Sequence, residues 1–84
     1  MTLSQDVAQE IDITSEVCPM TFVRTRLALD RLGAGDLLLV HLKGREPLEN
    51  VPRSATALGH DVVSLETDSL GVSHLLIRRG PQPA

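Results

Sequence analysis

Cys18 is the only cysteine in the 84-residue chain, and Pro19 follows it directly. Proline lacks an N–H and its φ is already near the helical value, so it favours the first position of a helix. That places Cys18 at or next to the N-cap of the helix Pro19 opens. The N–H groups of a first helical turn have no intrahelical partners, and they point toward the N-cap. The same helix end carries roughly +0.5 of a charge, which favours a thiolate over a thiol. Such a cysteine is expected to titrate below the ordinary value of about 8.5 and to be nucleophilic near neutral pH. The competing reading is a small buried hydrophobe, a common state for free cysteine.

The other residues able to do chemistry are more dispersed. His41, His60 and His74 lack metal-ligand spacing, and one cysteine cannot complete a set, so no metal site is expected. His41 and His74 fall on strands and read as solvent-facing or core residues; His60 follows a helix and reads as structural. Arg24, Arg26 and Arg31 read as solvated helix charges, with Arg26 the candidate for docking an acidic patch on a partner. Arg78 and Arg79 close the last strand and read the same way. Asp12 reads as a turn cap rather than a general base.

Composition excludes several function classes. Net charge is −3 and Phe22 is the sole aromatic residue. Direct nucleic-acid binding normally shows a basic excess and stacking aromatics, and neither is present. No apolar stretch approaches the roughly 20 residues needed to span a bilayer. The N-terminus has no basic start followed by an apolar run, so no secretory signal is visible. A lone thiol suits a reducing compartment, and a cytoplasmic location without membrane association is expected.

The elements that position Cys18 follow from punctuation and periodicity. The length suits one domain. Residues 1–10 are polar and read as a flexible N-terminal arm, residues 11–80 as the domain, and residues 81–84 as a frayed tail. Ile11 to Ile13 alternates as a short strand. Pro19 to Leu32 reads as a helix with Phe22, Thr25, Ala28, Leu29 and Leu32 on one face. Met20, Val23 and Leu27 broaden that face, and Gly33 and Gly35 end the helix. Leu37 to Leu42 reads as a central strand buried on both faces. Lys43 to Pro47 reads as a loop before a second helix capped by Asn50 and ended by Gly59. Val62 to Leu65 and Val72 to Ile77 read as strands joined by a turn from Thr67 to Gly71. The order β-α-β-α-β-β predicts an α/β fold of the α+β two-layer sandwich kind, a four-stranded mixed sheet with two helices on one face.

Several of these residues resemble the TusA/SirA family of sulfur-carrier proteins. They are Asp12, Ser15, Cys18-Pro19, Gly35, Pro52, Gly59-His60, Glu66-Thr67-Asp68 and Leu76-Ile77-Arg78-Arg79-Gly80. The similarity runs from Ile11 to Gly80. The family signature is Cys-Pro-x-Pro preceded by Asp-x-x-Gly; here the stretch is Cys-Pro-Met-Thr, with Thr21 for the second proline and Ser15 for the glycine. The resemblance implies a β-α-β-α-β-β sandwich like the C-terminal domain of translation initiation factor 3. It also implies a sulfurtransferase role in which Cys18 holds a persulfide. A cysteine desulfurase or rhodanese-like protein would donate sulfane sulfur, and an acceptor protein would receive it. Family destinations include tRNA thiolation, molybdenum cofactor synthesis and sulfur oxidation. No cofactor is implied, and a monomer is expected. The alternative is a non-catalytic regulatory or redox-sensing interaction module of the same fold. Pro19, Thr21 and Asp12 are the expected supporting residues. The Thr21 backbone N–H, which proline lacks, and its hydroxyl are expected to donate to the Cys18 sulfur. Otherwise Thr21 is a surface residue that alters the partner-facing side.

Overall fold

Along the second strand Leu38, Val40 and Leu42 are fully buried, whereas Leu37, Leu39 and His41 are half-buried. Alternation of this kind places the core on one side of the sheet only. The computed structural model describes residues 7–16 and 20–81. Its elements are β1 (Val7–Asp12), α1 (Met20–Asp30), β2 (Leu37–Lys43), α2 (Arg45–Ala57), β3 (Asp61–Thr67) and β4 (Val72–Arg78). The sheet order is β1-β2-β4-β3. β1 runs parallel to β2, while β2–β4 and β3–β4 are antiparallel. The expected α+β sandwich, with four strands in a mixed sheet and two helices, is therefore the observed one.

The core lies between the helices and one sheet face. Ala28 and Leu29 from α1 and Val51 and Ala55 from α2 pack with Leu38, Val40, Leu42, Leu75 and Ile77. Phe22 and Leu32 are partly buried against this cluster. Burying each large aliphatic side chain is worth about 1.5–3 kcal/mol, so this single layer supplies most of the driving force.

Three expectations need correction. β1 begins at Val7, so residues 7–10 belong to the sheet and not to the arm; residues 1–6 lie outside the described residues. Val7, Gln9 and Glu10 pair with Leu37, Leu38 and Leu39. β1 is an edge strand with mostly exposed side chains, so backbone pairing forms it and hydrophobic alternation is faint. α2 starts at Arg45, inside the expected loop, with Gly44 as N-cap at φ 106°. Pro47 falls in the first turn, where a missing N–H is tolerated, and Glu46 there complements the helix dipole. β2 is central, yet it is buried on one face only, because no second layer among the described residues covers the other.

The chain closes through a knot at the end of β4. Arg79, expected as a solvated charge, is 4% exposed. Its Nε donates to the Leu29 carbonyl at 3.0 Å and its Nη1 to the Gly80 carbonyl at 2.9 Å. The Arg79 N–H donates to the Asp36 carbonyl, and its own carbonyl accepts from the Gly35 N–H. Gly80 N–H donates to His60 Nδ1 at 3.0 Å. A Cβ on Gly80 would stand 1.9 Å from the Gly59 carbonyl oxygen, so no larger residue fits. His60 Nδ1 must carry a lone pair to accept this bond, so the ring is neutral with its proton on Nε2. Burial, followed by the nearby Arg79 charge, pushes the His60 imidazole below its ordinary value.

Two outcomes follow from this knot. Gly80→Ala is expected to destabilise by on the order of 3 kcal/mol, through overlap with the Gly59 carbonyl. Gly35→Ala, which meets nothing within 4 Å, is expected to lose about 1 kcal/mol through its positive φ alone. Urea titrations of both variants check the contrast. His60 has a lowered folded value, so the unfolded chain binds the proton more readily. Its contribution is therefore complete above the unfolded value of about 6.5 and declines as pH falls below it. Urea midpoints of wild type and His60→Asn across that range are expected to converge at acidic pH.

Candidate functional site

The segment that carries Cys18 leaves β1 through a tight turn. Asp12 Oδ1 accepts the Thr14 N–H at 2.9 Å and the Thr14 hydroxyl at 2.7 Å. These bonds, the backbone one first, hold the Asp12 carboxyl below the usual range. Ile13 is fully buried, and its N–H donates to the His41 carbonyl at 2.9 Å. The Glu16 N–H closes the turn on the Ile13 carbonyl. Arg24 Nη1 on α1 then meets Glu16 Oε2 at 2.7 Å. Both flanks of residues 17–19 are thus anchored. Val17, Cys18 and Pro19, which include the expected carrier residue and helix opener, lie outside the described residues.

Thr21 sits in the first turn of α1, three residues past Cys18. It is 1% exposed, which overturns the surface reading of this position. Its Oγ1 is buried and has no hydrogen-bond partner among the described residues, while its carbonyl accepts from the Thr25 hydroxyl at 2.8 Å. An unsatisfied buried hydroxyl costs about 1–3 kcal/mol.

The outward side of α1 was read differently from the sequence. Met20, Val23 and Leu27 are 43%, 39% and 53% exposed, so they do not broaden the core face. Their spacing of three and four places them in one stripe opposite Thr21, Thr25, Ala28 and Leu29. Arg26 is also exposed on this helix. The available signal was apolar residues on two opposite sides of the helix, in a two-layer fold that covers one of them.

On the uncovered sheet face, residues far apart in sequence meet. His41 Nδ1 lies 2.7 Å from His74 Nδ1. His41 Nε2 faces Glu10 Oε2, and His74 Nε2 faces Asp68 Oδ2 at 3.0 Å. Spacing gave no hint of this, because sheet register brings positions 33 apart together. Among the described residues, no group of three or more His, Cys, Asp and Glu side chains is placed to hold a metal ion. No helix among them is long and apolar enough to cross a membrane.

Residues 9–79 match the family model for sulfurtransferase TusA. The chain belongs to the TusA sulfurtransferase family. A candidate sulfur carrier protein of Archaeoglobus fulgidus is 41% identical over 56 residues, covering 67% of this chain and 64% of that protein. One from Thermotoga maritima is 33% identical over 60 residues, 71% of this chain and 76% of that protein. The Escherichia coli candidate sulfur carrier TsuB is 25% identical over 60 residues. The crystal structure of a SirA-like protein from Desulfitobacterium hafniense superposes with a TM-score of 0.77 at 27% identity. It covers 86% of this chain and 97% of its own. The TusA-matching segment contains Cys18, Pro19 and Thr21, together with the Gly59-His60 and Arg79 parts of the knot.

The buried Thr21 hydroxyl gives a direct test. Thr21→Val keeps the shape and removes a hydroxyl that has no partner among the described residues, so it is expected to stabilise the fold by about 1 kcal/mol. Thermal and urea unfolding of the variant measure this.

Proposed function

We propose that this chain is a sulfur carrier that holds a persulfide on Cys18 and relays sulfane sulfur between proteins. The observation that carries the reading is a lone cysteine, followed by proline, just ahead of α1 in a chain of the TusA family. Relatives described as candidate sulfur carriers support it.

The chemistry needs no cofactor. The Cys18 thiolate attacks the outer sulfur of a donor persulfide, the donor's sulfur–sulfur bond breaks, and the donor leaves as a thiolate. Cys18 now holds the extra sulfur. An acceptor thiolate attacks that outer sulfur in turn and releases the Cys18 thiolate. Each step exchanges one sulfur–sulfur bond for another, so no external oxidant or reductant enters. A helix N-terminus favours the anionic sulfur at both stages.

The exposed Met20, Val23 and Leu27 stripe begins two residues after Cys18 and supports a docking role for the outward side of α1. Arg26 beside it supports a donor protein that pairs an apolar contact with carboxylates. The donor is a protein bearing a persulfide, of the desulfurase or rhodanese-like kind, and the protein acts in the cytoplasm.

Incubation with a persulfide-bearing donor is expected to add the mass of one sulfur atom at Cys18, removable by a thiol reductant. Cys18→Ser should take up none. Leu27→Asp and Arg26→Glu should slow loading at least about tenfold while leaving the unfolding midpoint unchanged, a loss of about 1.4 kcal/mol in recognition. No mass gain on wild-type protein would favour the interaction-module reading.

A further inference from the structure

The Glu10–His41–His74–Asp68 chain on the open sheet face is not used in the sulfur transfer proposed above, and its contacts constrain where its protons lie. Asp68 is held below the usual carboxylate range, first by the His74 hydrogen bond and next by the Val72 backbone N–H. An ionised carboxylate only accepts hydrogen bonds. Both Nε2 atoms face carboxylates, so both carry a proton. That leaves Nδ1 facing Nδ1 at 2.7 Å, with ring centroids 4.9 Å apart and planes at 81°. Two lone pairs at that distance repel, and two N–H groups cannot bond. One shared proton satisfies both nitrogens. That arrangement would place three protons on the four ring nitrogens.

The surrounding charges favour that state. β1 presents Glu10 and Asp12 on this face, with Asp12 directly opposite His41 in the parallel register. β3 presents Glu66 opposite His74, the β3–β4 turn presents Asp68, and Lys43 lies two residues beyond His41 on β2. Arg78 is four residues beyond His74 on β4, at the far end of the strand. α1 and α2 pack on the other face and present no charge here.

We propose that His41 and His74 form an acid-sensitive latch that acts on the turn leading to Cys18. Uptake of a second proton makes both rings cations, and the Nδ1 contact opens. His74 stays with Asp68. His41, pushed toward β1, lies between Glu10 and Asp12, and it competes with Thr14 for the Asp12 carboxylate. That carboxylate stays ionised through the histidine range, because its own titration lies lower. Acidification thereby loosens the Asp12–Thr14 turn at the start of the segment that carries the cysteine.

The test uses the full chain labelled with nitrogen-15. At neutral pH, both Nε2 atoms are expected to report as protonated and the two Nδ1 atoms as sharing one proton. On acidification both rings should change together. Exchange of the Thr14 amide, which bonds to Asp12, should rise several-fold beyond the intrinsic pH effect. In His74→Gln the His41 signals should shift, and the acid-induced rise at Thr14 should vanish. Independent ring titrations in the wild type, a ring protonated on Nδ1 but not Nε2, or a Thr14 amide indifferent to acid would each overturn the latch. Should His74→Gln fail to fold, the wild-type ring spectra and Thr14 exchange decide alone. Sulfur loading of Cys18 is a separate readout, so loss of the carrier reading leaves this result standing.

Discussion

Burying a guanidinium is unfavourable unless every donor it brings inside finds an acceptor. Inside the fold Arg79 bonds to the last turn of α1 through the Leu29 carbonyl and to its own neighbour through the Gly80 carbonyl. The cation also stands at the negative end of the α1 dipole. The backbone of the same residue bridges Gly35 and Asp36. One side chain and one peptide therefore fix where α1 ends, how the chain turns into β2 and where β4 stops. Gly80 must remain without a side chain so that β4 can approach the Gly59–His60 turn. His60 must remain neutral so that Nδ1 can accept the Gly80 N–H. These conditions bind Gly59, His60, Arg79 and Gly80 into one unit, which is a physical reason for the two pairs to occur together.

A helix fixed at its C-terminal end has a fixed N-terminal end as well. The distal anchor is the Arg79 knot, and the near one is the Asp12–Thr14 turn with the Arg24–Glu16 ion pair. Thr21 adds an unusual element. Its hydroxyl, in the first turn of α1, is buried and has no hydrogen-bond partner among the described residues.

The two faces of the sheet do different work. The helix-covered face is aliphatic and supplies stability. The open face carries half-buried Leu37 and Leu39, then the paired imidazoles, ringed by carboxylates from β1, β3 and the β3–β4 turn. Because β1 leads directly into the cysteine segment, charge on this second face has a short path to the site. Asp12 is the common member, since it lies opposite His41 and also closes the turn at Thr14.

The element order and the mixed two-layer class were legible because they rest on local signals. Proline punctuation, glycine stops and the apolar run of Leu37 to Leu42 act within a few residues of themselves. The start of β1 was not legible, since an edge strand with exposed side chains is formed by a partner's backbone. The start of α2 was obscured by Gly44 and Pro47, which read as a loop until the helix they open packs on the sheet. Arg79 resembled a surface charge, and only the closure of β4 against α1 and the Gly59–His60 turn buries it. Met20, Val23 and Leu27 looked like core, and only the absence of a third layer exposes them. His41 and His74 carried no pattern at all. The sequence by itself determined which elements form, because local backbone preference and side-chain type decide them. Tertiary structure alone decided which polar groups are buried, which apolar ones are exposed and which histidines meet, because those depend on residues distant in the chain arriving at one place.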